Sequence, residues 1–151
     1  MNPIQICHCG SKNTFDTCCK VYISLQKQPE TSEQLMRSRF TAFKLRAHQY
    51  LINTQHSKHK LTINDFDITI DWLGLSVIPP KKQDDAYVEF IAFYKSTNNQ
   101  KIQQLHERSY FEKTNNQWLY ISGKPLTNIK LNRNQPCFCG SSKKVKNCHP
   151  I

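Results

Sequence analysis

Two cysteine-dense stretches, one near each end, constrain this chain more than anything between them. Cys7, Cys9, Gly10, Ser11, Cys18 and Cys19 form the first; Cys137, Cys139, Gly140, Ser141, Cys148 and His149 form the second. In each, eight residues separate the second candidate ligand from the third, and the copies are offset by 130 positions throughout. All seven cysteines of the 151-residue chain fall inside them; with His149 they make eight ligands, enough for two four-ligand sites. Two ligands on a turn, a short spacer and two more supply the tetrahedral sulfur and imidazole donors that a structural zinc takes. Gly10 and Gly140 stand where such a turn can need positive φ, and Ser11 and Ser141 can bond to local backbone. Disulfides suit a secreted chain with an even cysteine count. Here the count is odd, and the remaining position holds the other good zinc ligand. His8 lies between two ligands as a rival donor; an exposed neighbour of the site is the plainer reading of it. Neither site keeps an open position for water, so both read as structural, with two Zn2+ per chain. Each is short, so metal binding and local folding would be one event.

The segment from Asn132 to His149, with Pro136-Cys137-Phe138-Cys139-Gly140-Ser141-Ser142-Lys143-Lys144 inside it, resembles the SEC-C motif. That motif is the small zinc module at the C-terminal tail of the SecA translocation ATPase. Two such motifs flanking a middle domain resemble the bacterial YchJ family. The middle adds Leu35-Met36-Arg37-Ser38-Arg39-Phe40-Thr41-Ala42-Phe43, then Trp72-Leu73-Gly74-Leu75, then Glu107-Arg108-Ser109-Tyr110-Phe111. The resemblance implies a cystatin-like cone of the nuclear-transport-factor-two type, in which a curved sheet wraps a long helix and leaves a pocket at its open end. Such a fold hosts both enzymes and inert binding modules, so it does not decide function. The SEC-C module in SecA serves contacts with the SecB chaperone and the ribosome, and the resemblance implies a similar use here.

The residues between the motifs read as α+β. Thr31 followed by Gln34 is a capping box, and Met36, Phe40, Phe43, Ala47, Tyr50 and Leu51 recur at helical offsets as one apolar stripe. Arg39 lies at one edge of that stripe and Arg37 at the other, with Ser38 pointing away; a break is expected near residues 45–48, with a second piece to about Asn53. A short helix over residues 20–28 precedes it, ended by Pro29. Residues 54–64 read as a polar loop. Strands follow at 72–78, stopped by Pro79 and Pro80, then at 86–96, 101–113 and 117–122, with turns at Thr97-Asn98-Asn99-Gln100 and Asn115-Asn116. The strand over 86–96 alternates Val88, Phe90, Ala92 and Tyr94 against Tyr87, Glu89, Ile91, Phe93 and Lys95. Helices first, then an antiparallel meander, make a layered α+β domain. The division expected is 1–28 for the first zinc motif and its helix, 29–123 for the cystatin-like domain, and 124–151 for a basic linker with the second zinc motif.

Charge narrows the partners. The net +10 divides as +1 over residues 1–30, +5 over 31–60, −2 over 61–123 and +6 over 124–151. Two Zn2+ on seven thiolates lower the total to about +7. The basic surplus in the first long helix region and the tail fits an acidic partner, whether RNA, a ribosome, an anionic lipid surface or an acidic protein; a soluble protein of high isoelectric point is the alternative reading. Arg133, Lys143, Lys144 and Lys146 are the partner-binding candidates, with Lys130 beside them. No apolar run approaches a membrane span of roughly 20 residues. The first residues lack a charged start and an apolar core, so no signal peptide is expected. Metal-ligating thiols point to a reducing cytoplasm.

Two functional readings follow. One is a non-enzymatic adaptor whose zinc modules contact a protein or ribosomal partner. The other is a small enzyme or ligand-binding protein using the middle cavity. For the second, Glu107 shares a strand face with Leu105 and Phe111 and should point inward, where a carboxylate needs a partner. Arg37 or Arg39 would supply it as a buried ion pair fixing helix to sheet. Arg108 lies on the opposite face, and His56 is the nearby titratable group. The cavity candidates are thus Arg37, Arg39, His56, Glu107 and Arg108. No nucleophile–base pair, phosphate loop or cofactor motif accompanies them, which favours the adaptor.

Overall fold

Three helices come first in the structure, a computed structural model that describes residues 3–150. They are α1 (Cys19–Ile23), α2 (Ser32–Leu45) and α3 (His48–Asn53). Four strands follow, β1 (Ile70–Ile78), β2 (Tyr87–Ser96), β3 (Asn99–Thr114) and β4 (Gln117–Pro125), and a single turn, α4 (Val145–Cys148), lies in the second cysteine cluster. Helix α1 is shorter than expected, with Leu25 in the left-handed region at φ 65° just beyond it. Thr31 caps α2: its Oγ1 accepts from the Gln34 N–H at 3.1 Å. The Gln34 side chain reaches back to Glu30 N–H, one residue before the position a capping box uses. Arg46, left-handed at φ 60°, separates α2 from α3.

The strands form one antiparallel sheet in the order β1-β2-β3-β4. Asn115 and Asn116, at φ 51° and 64°, make the tight turn that suits a twisted hairpin. Strand β4 outruns its expected end: Gly123, Lys124 and Pro125 still pair with Ser109, Arg108 and Glu107. The helices lie on one face of this sheet. Leu35, Met36, Phe40, Tyr50 and Leu51 pack against Val88, Phe90, Ala92 and Phe111 in the main core. Ser38, expected to point away, is buried instead: α3 folds back over it, and its hydroxyl donates to Leu35 O and pairs with the Tyr50 hydroxyl at 2.7 Å.

The other face of the sheet holds the main surprise. β2 buries apolar side chains on both sides, and on this one Ile91 and Phe93 lie beneath Cys137, Phe138 and Val145 of the second cluster. Phe93 and Phe138 stack with centroids 4.1 Å apart. Burying such side chains is worth about 1.5–3 kcal/mol each, enough to hold the cluster down. The tail is therefore no free tether, as the polar composition of residues 124–136 suggests. It is strapped along β3: Leu126 N–H donates to His106 O at 2.8 Å, and Gln104 exchanges two 3.0 Å bonds with the Ile129 backbone.

The first cluster docks on α2 and on β1. Arg37 donates to Cys9 O at 2.6 Å, and Cys7 Sγ lies 3.8 Å from Thr41 Oγ1. A Cβ on Gly10 would stand 2.7 Å from Leu75 O, and one on Gly74 would collide with Phe138 O. The two clusters thus press on adjacent residues of the edge strand β1, beside the irregularity between Trp72 and Gly74.

Candidate metal centres and the middle cavity

Each cluster is built the same way. In the first, Cys7 N–H donates to Asn13 O at 2.8 Å; 130 residues later, Cys137 N–H donates to Lys143 O at 2.7 Å. Gly10 and Gly140 take φ 79° and 82°, and Lys12 and Ser142 both take 69°. Isolated bridges join Ile6 to Thr14 and Pro136 to Lys144. The offset of 130 seen in the sequence is thus a repeat of backbone conformation as well. The turn carries two sulfurs to one side; the second pair lies at the start of α1 in the first cluster and at the end of α4 in the second.

The donor atoms of Cys7, Cys9, Cys18 and Cys19 lie within 4.8 Å of one another, as do those of Cys137, Cys139, Cys148 and His149. Cys9 and Cys18 Sγ are 3.6 Å apart, Cys139 and Cys148 Sγ 3.5 Å, and Cys137 Sγ lies 3.3 Å from His149 Nδ1. Tetrahedral bonds of the usual length set about 3.8 Å between sulfurs and about 3.6 Å between sulfur and nitrogen. A disulfide needs about 2.05 Å, and all seven cysteines are free. The residues fit a four-coordinate ion. His8 stays outside, with its Nε2 on Gln5 at 3.2 Å.

Electrostatics says the same. Hydrogen bonds from Cys19 and Cys7 pull the Cys9 thiol far below its ordinary range, while Cys19, donating to Cys7 and Cys9, is driven far above it. Burial pushes Cys18 and Cys137 up to about 11. Sulfurs this close cannot all ionise unless a cation supplies the opposing charge. The Ser11 and Ser141 hydroxyls reach Cys18 and Cys148 at 3.3 and 3.2 Å and take the Asn13 and Lys143 N–H at 3.2 Å, so each steadies a sulfur and closes its turn.

Of the cavity candidates, the structure brings only Arg39 and Glu107 to the cavity, a space of about 240 Å³ between α2 and the sheet. They do not form the expected ion pair. Arg39 donates to Leu51 O and Thr54 Oγ1 at 2.9 and 2.7 Å and to Gln55 Oε1 at 2.9 Å. It lies 4.8 Å over the Tyr120 ring. The Leu51 carbonyl and the Thr54 and Gln55 side-chain oxygens, all at the end of α3, have claimed the guanidinium. Burial lowers its pKa only to about 10, so it stays charged. Glu107 Oε1 accepts from Ser109 at 2.7 Å and Tyr120 at 3.1 Å. Burial and the Glu107 carboxylate raise the Tyr120 phenol, which stays a donor. Arg37 belongs to the first cluster and to Glu33 at 3.3 Å. Arg108 sits on the far face, over the Tyr87 ring. His56 turns to Glu112 at 3.9 Å. Gln55, Ser109 and Tyr120 complete the polar lining. Strand alternation could have flagged Ser109, but nothing in the loop around Gln55 marks it.

Lys130, Arg133 and Lys146 line one surface groove with Leu131, Asn132 and Pro150. Lys143 and Lys144 are exposed. No acidic residue follows Glu112 in the sequence. No described helix is long and apolar enough to cross a membrane.

Comparisons with known proteins agree with this architecture. The model of the YchJ middle NTF2-like domain matches residues 31–123, and the SEC-C motif model matches residues 133–149. A UPF0225 protein of Photorhabdus laumondii subsp. laumondii is 41% identical over 155 residues, spanning 95% of this chain and 98% of that one. A UPF0225 protein of Serratia proteamaculans is 38% identical, with 95% and 97% covered. The solution structure of a SEC-C motif containing protein from Rhodopseudomonas palustris superposes with a TM-score of 0.69 at 28% identity, over 82% of this chain and 100% of that one. The crystal structure of a SEC-C motif containing protein from Psychrobacter arcticus gives 0.64 at 28% identity, over 96% and 95%.

Proposed function

Because this chain belongs to the UPF0225 family, with a YchJ-type middle domain and a SEC-C motif, we propose that it is a cytoplasmic zinc-binding adaptor and not a catalyst. Its second module would meet an acidic surface on a ribosome or a chaperone. The two ligand sets would each hold Zn2+: Cys7, Cys9, Cys18 and Cys19 in the first, Cys137, Cys139, Cys148 and His149 in the second. Four protein ligands leave no position for water, so the metal shapes a surface and activates nothing. In this reading the chain divides at residues 1–28, 29–123 and 124–151.

The observation that carries the reading is the basic SEC-C segment, in which Arg133, Lys143, Lys144 and Lys146 have no acidic side chain after Glu112 to offset them. The SEC-C module is stacked on Phe93, which holds Arg133, Lys143, Lys144 and Lys146 on a rigid support. Preorganised charge loses less entropy on binding than charge on a free tail. Elemental analysis of protein purified without added metal should give close to two zinc ions per chain; iron in their place would change the metal and keep the ligands. Replacing Lys143, Lys144 and Lys146 by Gln should leave metal content and melting temperature alone, yet weaken cosedimentation with ribosomes or binding to an acidic chaperone. The parent's binding should fall with added salt, and a nucleic-acid partner would give the steeper slope. Equal binding by parent and variant at every salt concentration would refute the adaptor reading of this face.

A further inference from the structure

The adaptor reading leaves the middle cavity unused, and the cavity has the marks of a built site. Its walls are apolar, chiefly Phe40, Phe43, Trp72, Phe90 and Leu105. Its polar residues form one linked group, Arg39 with Gln55 and Glu107 with Ser109 and Tyr120, joined where Arg39 lies over the Tyr120 ring. An apolar space with a few convergent polar groups is the usual form of a small-molecule site.

The hydrogen bonds within that group say what is still on offer. Arginine has no acceptor, so its bond to Gln55 fixes the amide oxygen toward Arg39 and leaves the amide NH2 outward. Among the described residues, Gln55 Nε2 donates to no side chain or backbone, and Glu107 Oε2 accepts from none. The site therefore holds one spare acceptor and one spare pair of donors. One guanidinium and one carboxylate cancel, so a neutral guest is favoured over either ion. A cavity of about 150 Å³ admits benzene; about 240 Å³ leaves room for a second ring.

We propose that this cavity binds a neutral, flat molecule of one or two rings that carries an N–H donor and a carbonyl acceptor on one edge. The N–H meets Glu107 Oε2, the carbonyl meets Gln55 Nε2, and the rings lie among the aromatic walls. Glu107 Oε1 is held by the Ser109 and Tyr120 hydroxyls, so the carboxylate is in place before any guest arrives, and Gly123 leaves the room that a Cβ would take from it.

Quinolin-2(1H)-one is the probe, and coumarin, the same shape with a ring oxygen in place of N–H, is its control. Both are titrated into the metal-loaded full-length protein and followed by amide NMR. Quinolinone should shift the Phe90, Leu105, Ser109 and Tyr120 amides saturably and bind about tenfold or more tightly than coumarin, since a bond to a charged acceptor is at stake. Glu107→Gln should erase most of that preference. Gln55→Leu, which keeps the carboxylate, should weaken both probes while the spectrum stays dispersed. The Lys143, Lys144 and Lys146 variant should bind quinolinone like the parent, so this test stands apart from that of the adaptor. Absence of saturable shifts up to the solubility limit, or equal binding of the two probes by the parent, would overturn the proposal.

Discussion

Three glycines show how single residues set this structure. Gly10 and Gly140 share a turn and nearly the same φ, so an added methyl group strains both by about 1–2 kcal/mol. They differ in what surrounds them: a Cβ on Gly10 meets Leu75 O at 2.7 Å, while one on Gly140 meets nothing within 4 Å. Gly10→Ala should therefore cost about 1–3 kcal/mol more than Gly140→Ala, a difference readable in chemical denaturation of the two variants. Gly74 is the sharper case. It lacks the positive φ, so any cost of Gly74→Ala comes from the added Cβ, which would collide with Phe138 O. That variant should lift the second cluster from the sheet, and faster amide exchange at Phe93 would report it. Slow exchange at Phe93 would mean that β1 yields instead.

At the scale of elements, the strap over β3 is the least expected piece. His106 holds it with both ring nitrogens: Nδ1 lies 2.6 Å from Thr127 O and Nε2 2.9 Å from Glu89 Oε2. Both partners are acceptors, so only the imidazolium satisfies both. Burial lowers the His106 pKa, but the Glu89 carboxylate and the Thr127 carbonyl outweigh it and leave it raised. A raised folded pKa stabilises fully below the unfolded value of about 6.5 and loses that contribution as pH climbs through the folded value. The parent should thus lose stability relative to His106→Gln as pH rises above neutrality, and the Leu126 and Ile129 amides should exchange faster than base catalysis alone explains. A difference between parent and variant that stays flat with pH would place no charge on His106.

For the whole molecule, the two clusters are part of the fold's cover and more than appendages. Phe138 closes one face of the sheet, and Cys7, Cys9 and Cys19 form a small core against α2. On the proposed metal binding, treatment with a strong chelator should free the second cluster, expose Ile91 and Phe93, and raise binding of a hydrophobic dye. The helix-side core of Leu35, Phe40 and Phe90 should survive in part, since its contacts do not run through sulfur. Cys148→Ser, which removes one ligand and little volume, should reproduce the dye binding without chelator. Dye binding unchanged by both treatments would mean that the Phe93–Phe138 stack holds without its metal.

The cysteine clusters were legible in the sequence because spacing along a short turn is local: Cys7, Cys9, Cys18 and Cys19 meet without help from distant residues. The cap at Thr31, the α2–α3 break and the order of strands were local too, and periodicity carried them. Glu107's position inside the cavity followed from alternation. Its partners did not, because a carboxylate marks only a need, and Ser109 and Tyr120 met that need once β3 and β4 were paired. Arg39 went to the end of α3, where three oxygens converge only after the helices fold together. Composition made residues 124–136 look like a free linker. What held them was the second apolar face of β2, whose Ile91 and Phe93 had to be covered by something. Local chemistry thus determined the sites and the elements. Which surface each element would bury was decided by packing, since no residue carries that information until its neighbours across the sheet are in place.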